Sequence, residues 1–274
     1  GAGVLDLLGP ASYSGATIVQ AGTLRQGSSG GFVQNGAYVI DGGALDLNSV
    51  GLSMGSLSGS GGQVLLGSAD LVVDQALDTS YAGAISGSGG LSKLGAGLLL
   101  LEGENDYSGL TQVSDGTLRQ GGAGAFVAGG SYLVSGGVLD LNGFDLSMGS
   151  LSGSGGEVAL GGADLTLVQT SDSSFSGVIS GSGGLIKQGD GLLLLSGANT
   201  YSGTTRIDGG TLRQGAAGAL AGGDYAINAG VLDLNGFDLD MGSLSGSGGE
   251  VALGAANLGI EQAVDGTFSG VIGG

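Results

Sequence analysis

The side chains here that could do chemistry are carboxylates and hydroxyls, because the 274-residue chain has no histidine and no cysteine. That excludes serine–histidine and cysteine–histidine nucleophilic catalysis and removes the commonest zinc ligands. A G-x-S-x-G pattern, which in esterases presents a serine nucleophile, occurs at Gly51-Leu52-Ser53-Met54-Gly55. In the later copies of this stretch the first glycine becomes Asp145 or Asp238, and in the last the serine becomes Asp240, so no nucleophile is expected there. Paired carboxylates could cleave a polysaccharide by general acid and base, and Glu102 with Glu104 or Asp140 with Asp145 are the candidates. One copy later, Glu102 and Glu104 give way to Ser196 and Ala198, which takes them out of the repeating framework.

Calcium is the ion best matched to the oxygen ligands present. Asp140, Asn142 and Asp145, and again Asp233, Asn235 and Asp238, sit together near what reads as a corner. The first copy, Asp46-Leu47-Asn48-Ser49-Val50-Gly51, lacks the last aspartate, and no GGxGxD array is present. The expected role of these residues is therefore turn formation, with no catalytic residue, metal or cofactor. Tyr13, Tyr107 and Tyr201 could be a carbohydrate-stacking set, but their fixed place before Ser-Gly suits packing against a neighbouring turn. Lys93 and Lys187 read as solvent-exposed framework positions.

These residues recur with a long period. GTLRQG starts at Gly22, Gly116 and Gly210, two steps of 94 residues. SLSGSGG starts at Ser56, Ser150 and Ser243, and LDLN at Leu45, Leu139 and Leu232, so one residue is lost between the second and third copies. The long repeats run approximately 1–90, 91–184 and 185–274. A period this long exceeds a single structural repeat and must contain smaller turns. Within the second copy, short apolar pieces at 98–101, 111–113, 117–119, 132–134, 138–141, 157–160, 164–168 and 178–179 are separated by glycine-rich corners. Strands of three to five residues with corners suit a solenoid of roughly 20 residues per turn, with four or five turns per long repeat. In Leu45-Asp46-Leu47 and its copies the strand period of two turns leucines inward and aspartate outward, and the following asparagine tolerates the left-handed corner backbone. A barrel or sandwich is the competing all-β arrangement.

Composition sets the surroundings. The 66 glycines occur without collagen periodicity, and 41% hydrophobic content provides a core to bury. A net charge of -18 repels phosphate backbones and anionic lipids, which argues against nucleic acid as a partner. So much acid reads as a solvated surface that keeps a strand-rich protein soluble. No apolar run approaches the ~18 residues of a membrane-spanning helix.

The segments LSKLGAGLLLLEGENDYSGLTQVSDGTLRQG (91–121) and LIKQGDGLLLLSGANTYSGTTRIDGGTLRQG (185–215) resemble the passenger-associated transport repeat of bacterial autotransporters. Lys93 and Lys187, the paired glycines, Asn105 and Asn199, YSG and GTL all fall in register, and a cut copy covers Gly1 to Gly27. The resemblance implies a right-handed, three-sided parallel β-helix, here one continuous fragment of residues 1–274. On the stacking distance of strands it would have roughly 13 turns and a length of about 60 Å. It further implies export across the outer membrane to the cell surface, with a C-terminal β-barrel on the parent chain. The implied function is adhesion to a host or neighbouring cell surface, or self-association into aggregates and biofilm. A passive stalk presenting a distal domain is the alternative, and a polysaccharide-active β-helix enzyme the third.

Overall fold

A computed structural model describes residues 1–274, in which every regular element is a β-strand. It divides into two compact units, Gly1–Leu139 and Asp140–Gly274. Each unit is a solenoid of parallel strands, so the barrel and sandwich arrangements are excluded.

In the first unit, the strands Val4–Leu7, Thr23–Gln26, Ala44–Asp46, Gln63–Gly67 and Ala84–Gly87 pair in that order in one sheet. Leu5 lies opposite Leu24, Leu24 opposite Leu45, Leu45 opposite Val64 and Val64 opposite Ile85, so shorter and longer turns alternate. A second face stacks Leu71–Asp74, Leu91–Leu94, Thr111–Val113 and Ser131–Val134. A third stacks Thr79–Tyr81, Leu98–Leu101 and Thr117–Gln120. One strand, Leu52–Ser58, rounds a corner: its first residues pair with Leu71–Val73 and its last with Ala37–Val39. Because a solenoid turn takes about 20 residues, the long period amounts to four turns and roughly two-thirds of another. Within the first unit the same motif therefore lands on different faces. Thr23–Gln26 and Thr117–Gln120, both TLRQ, belong to different sheets of the same unit.

The second unit repeats the pattern. Leu146–Met148, Leu165–Val168, Leu185–Gln188, Thr205–Ile207, Asp224–Ile227 and Ser243–Ser245 form one sheet. Ser173–Phe175, Leu192–Leu195, Thr211–Gln214, Val231–Asp233, Glu250–Ala252 and Val271–Gly273 form another.

Burial follows the alternation. Leu45 and Leu47, Leu139 and Leu141, and Leu232 and Leu234 are all fully buried. Asn48, Asn142 and Asn235 turn the corner with φ of 49°, 51° and 51°, the left-handed region in which asparagine is well tolerated. Close stacking also dictates glycine. At Gly89 and Gly183 a Cβ would overlap the carbonyl oxygen of Ala69 or Ala163 one turn earlier, so no side chain fits.

The exposed acid has a second role in the fold. Asp70 accepts a hydrogen bond from the Gly90 N–H at 2.7 Å and Asp78 from the Leu98 N–H at 2.8 Å, each reaching the next turn. In the second unit Asp164 receives the Gly184 N–H at 2.7 Å and Asp172 the Leu192 N–H at 2.9 Å. Corner amides cannot join the strand ladder, and these carboxylates supply the acceptors they need. The first copy lacks one such cap: Asp145 accepts from Asp164 N–H at 2.8 Å and Asp238 from Asn257 N–H at 2.7 Å, but Gly51 holds the matching place. A Cβ at Gly51 would meet nothing closer than the Asp70 carbonyl at 3.7 Å, an ordinary contact. Gly51→Asp is expected to raise unfolding free energy by about 1 kcal/mol in urea titration relative to Gly51→Ala. Equal stability of the two variants would rule out the cap.

Candidate functional site

The polar side chains with the most developed surroundings lie inside the turns. In the strands Leu91–Leu94 and Leu185–Gln188 the first and third residues face inward, which places Lys93 and Lys187 in the core, fully buried. Lys93 Nζ donates to the carbonyls of Leu94 at 2.7 Å, Gly95 at 2.6 Å and, one turn on, Asp115 at 3.4 Å. Lys187 Nζ donates to Gln188 and Gly189, both at 2.9 Å, and to Gly209 at 3.5 Å. Burial lowers both pKa values, opposed by Asp115, Asp74 and Asp78 around Lys93 and by Asp190 and Asp172 around Lys187. These lysines are not exposed framework positions. Each is a cation closing a cluster of corner carbonyls that strand pairing leaves free. Alternation in L-x-K carries that signal, because the lysine shares the leucine's side of the strand.

Asn105 and Asn199 act on the same principle across three turns. Asn105 Oδ1 accepts the Ile85 N–H at 2.7 Å, and its Nδ2 donates to the Ala125 carbonyl at 2.6 Å. Asn199 does the same between Ile179 N–H and the Ala219 carbonyl. Nearby, the Tyr107 and Tyr201 hydroxyls each lie 2.7 Å from the hydroxyl of Thr111 or Thr205. Burial pushes both tyrosines up to about 12. Their rings pack within the turns, as the Ser-Gly context indicates, and present no stacking surface to a sugar. Gln26 and Gln214, also inward, lie opposite Leu7 and Leu195 with neither amide atom hydrogen-bonded. Such burial costs about 1–3 kcal/mol for each side chain.

The chemistry-bearing candidates are dispersed or occupied. Ser53 lies within a strand, with its hydroxyl donating to Asn35 Oδ1 at 2.8 Å, and not on a strand-to-helix elbow. Of the Glu102 and Glu104 pair, only Glu104 lines the hollow of about 410 Å³ shared with Asn105, Asp106 and Phe126. Of the calcium candidates, Asp140 and Asp233 accept the N–H of Asn142 and Asn235 at 2.8 Å, and Asp145 and Asp238 cap the following turn. Asp233 also pairs with Arg213 at 2.7 Å, and Asn235 donates to the Gln214 carbonyl at 3.1 Å. No three acidic side chains converge closely enough to hold an ion. Arg25 binds Asp46 at 2.8 Å on the first unit's first face, whereas Arg119 belongs to another sheet, so the two do not form a shared pocket.

Comparison with known proteins agrees with this arrangement. The passenger-associated-transport-repeat model matches residues 1–25, 91–119 and 185–213, the last two of which carry the buried lysines and asparagines. Over 150 residues, 52% of the chain, the sequence is 37% identical to the adhesin BmaC autotransporter of Brucella suis biovar 1 (strain 1330). The matched stretch is 4% of that protein's length. No solved structure matches.

If Lys187 closes its corner, Lys187→Met should lower unfolding free energy by about 2 kcal/mol by leaving three carbonyls without a donor. Lys187→Arg, which keeps the charge in a larger fork, should recover part of the loss. Chemical denaturation of the purified chain measures both, and an unchanged midpoint for the methionine variant would refute the role.

Proposed function

We propose that this chain, passenger sequence of an autotransporter exported to the bacterial cell surface, serves there as an adhesive rod, with residues 1–274 as one continuous β-helix. One observation carries the reading: the distinctive polar residues of the repeat are spent on holding turns together. Lys93 and Asn105 reach neighbouring turns, and Tyr107 is buried against Thr111 of its own turn. What remains outside is a mixture of short side chains, acids, paired arginines and scattered apolar residues such as Leu77 and Leu110, suited to many weak contacts and to no single reaction. The rod acts without catalysis in this reading. The named function of the BmaC relative supports adhesion in particular, through contact with a host or neighbouring cell, or with another copy of the rod.

A second part of the reading assigns Asp140, Asn142, Asp145, Asp233, Asn235 and Asp238 to turn formation and not to calcium. In each of the four aspartates one carboxylate oxygen accepts a backbone N–H, a bond that a cation drawing on that oxygen would have to displace. Melting in millimolar calcium and in chelator should then give the same midpoint; a calcium-dependent rise would assign these corners to the ion.

Adhesion is tested by display. Bacteria presenting this chain should clump or bind a surface more than bacteria presenting an unrelated parallel β-helix of equal length. If the two behave alike, the chain is a stalk and the adhesive reading is wrong.

A further inference from the structure

Two of the chain's three Asn-Gly pairs, Asn142-Gly143 and Asn235-Gly236, sit at equivalent corners of the repeat and hold chemistry that the adhesive reading does not use. An asparagine followed by glycine is the dipeptide most prone to self-deamidation, because glycine leaves the following backbone nitrogen uncrowded. Both corners are solvent-exposed, so water can reach them. At Asn235 the fold restrains both reacting groups. The Gly236 N–H, whose nitrogen would attack, donates to the Leu253 carbonyl of the following turn at 3.2 Å. The side-chain amide to be attacked is tied to the preceding turn, with Nδ2 donating to the Gln214 carbonyl at 3.1 Å. The Asn235 N–H is held as well, by Asp233 Oδ1 at 2.8 Å. At the other corner, the Gly143 N–H donates to Leu160 at 3.2 Å.

We infer that Asn235-Gly236, and with it Asn142-Gly143, is a latent self-modification site that stacking of adjacent turns keeps silent and loss of stacking releases. In the released chain the Gly236 nitrogen gives up its proton and attacks Asn235 Cγ. The new N–Cγ bond forms, the Cγ–Nδ2 bond breaks, and the side-chain nitrogen leaves as ammonia. Water then opens the cyclic imide at one carbonyl or the other, giving aspartate or isoaspartate. Either product marks the corner permanently. Aspartate sets a carboxylate against the Gln214 carbonyl where an amide donor stood. Isoaspartate adds a methylene to the main chain of a turn whose neighbours, Leu232 and Val251, are paired residue to residue.

The test uses the whole chain, incubated in mildly alkaline buffer with and without denaturing urea, then digested and weighed peptide by peptide. Conversion at Asn235 and Asn142 should be at least about 10-fold slower in the folded protein, in proportion to how rarely the turns open. Asn48, followed by Ser49, should convert slowly in both states because the serine side chain crowds ring closure. Val251→Ala loosens the turn above Asn235 and should speed conversion there in the folded protein while leaving Asn142 unchanged. If that variant unfolds outright, the comparison of native chain with and without urea still decides. Equal rates for Asn235 in folded and unfolded protein would overturn the inference, as would Asn48 converting as fast as Asn142 and Asn235 in urea.

Discussion

Each turn must come back upon the last after nearly the same length of chain, at the spacing of neighbouring strands, and every other feature answers to that requirement. The ladder hydrogen bonds form only if residue meets residue, as Leu45 meets Leu24 below and Val64 above. Inward side chains then stack into columns of leucine, valine and isoleucine that are dry and narrow. Small deviations are allowed, because the shorter turn from Leu5 to Leu24 is made up by the longer one from Leu24 to Leu45. An uncompensated slip would move every side chain of the strand to the other face.

The corners are where this requirement is hardest to meet. A strand satisfies its own N–H and C=O groups through its neighbours, but a bend breaks the ladder and leaves donors and acceptors exposed to a core that cannot hydrate them. The chain answers with side chains of opposite polarity. Aspartates such as Asp78 and Asp172 accept from orphaned N–H groups, while the lysine ammoniums donate to clustered carbonyls. Asparagine does both at once. Where even a methyl would collide with the turn below, as at Gly89 and Gly183, the side chain is dispensed with. The high glycine content and the acidic charge thus share one origin in corner stacking.

This use of polar residues bears on function. An enzyme site gathers ionisable groups into one hollow and frees them to react, whereas Lys93, Lys187, Asp78 and Asp172 are tied to backbone. Within the first unit the period deepens the dispersal, since Thr23–Gln26 and Thr117–Gln120 belong to different sheets. Arg25 and Arg119, which look in sequence like members of a repeated binding set, thus do not add up to one surface.

The sequence by itself determined the strand character, the approximate length of a turn and the inward leucines, because alternation and glycine spacing are local properties that survive without a structure. The strand pieces read in the second copy recur within a residue or so of their observed ends, from Leu98–Leu101 to Val178–Ser180. Missed were Leu91–Leu94, Leu146–Met148, Ser150–Ser152 and Ser173–Phe175, whose outward serines break up the apolar run. The left-handed asparagine corners were legible for the same local reason. Only the tertiary structure decided what the polar residues do. Lys93 reads as exposed because lysine usually is, and its burial depends on the carbonyls of Leu94, Gly95 and Asp115 converging on one point. Likewise the partners of Asp78, Asn105 and Asp145 lie about one turn away along the chain, a distance that no local pattern spans and only stacking brings within hydrogen-bond reach.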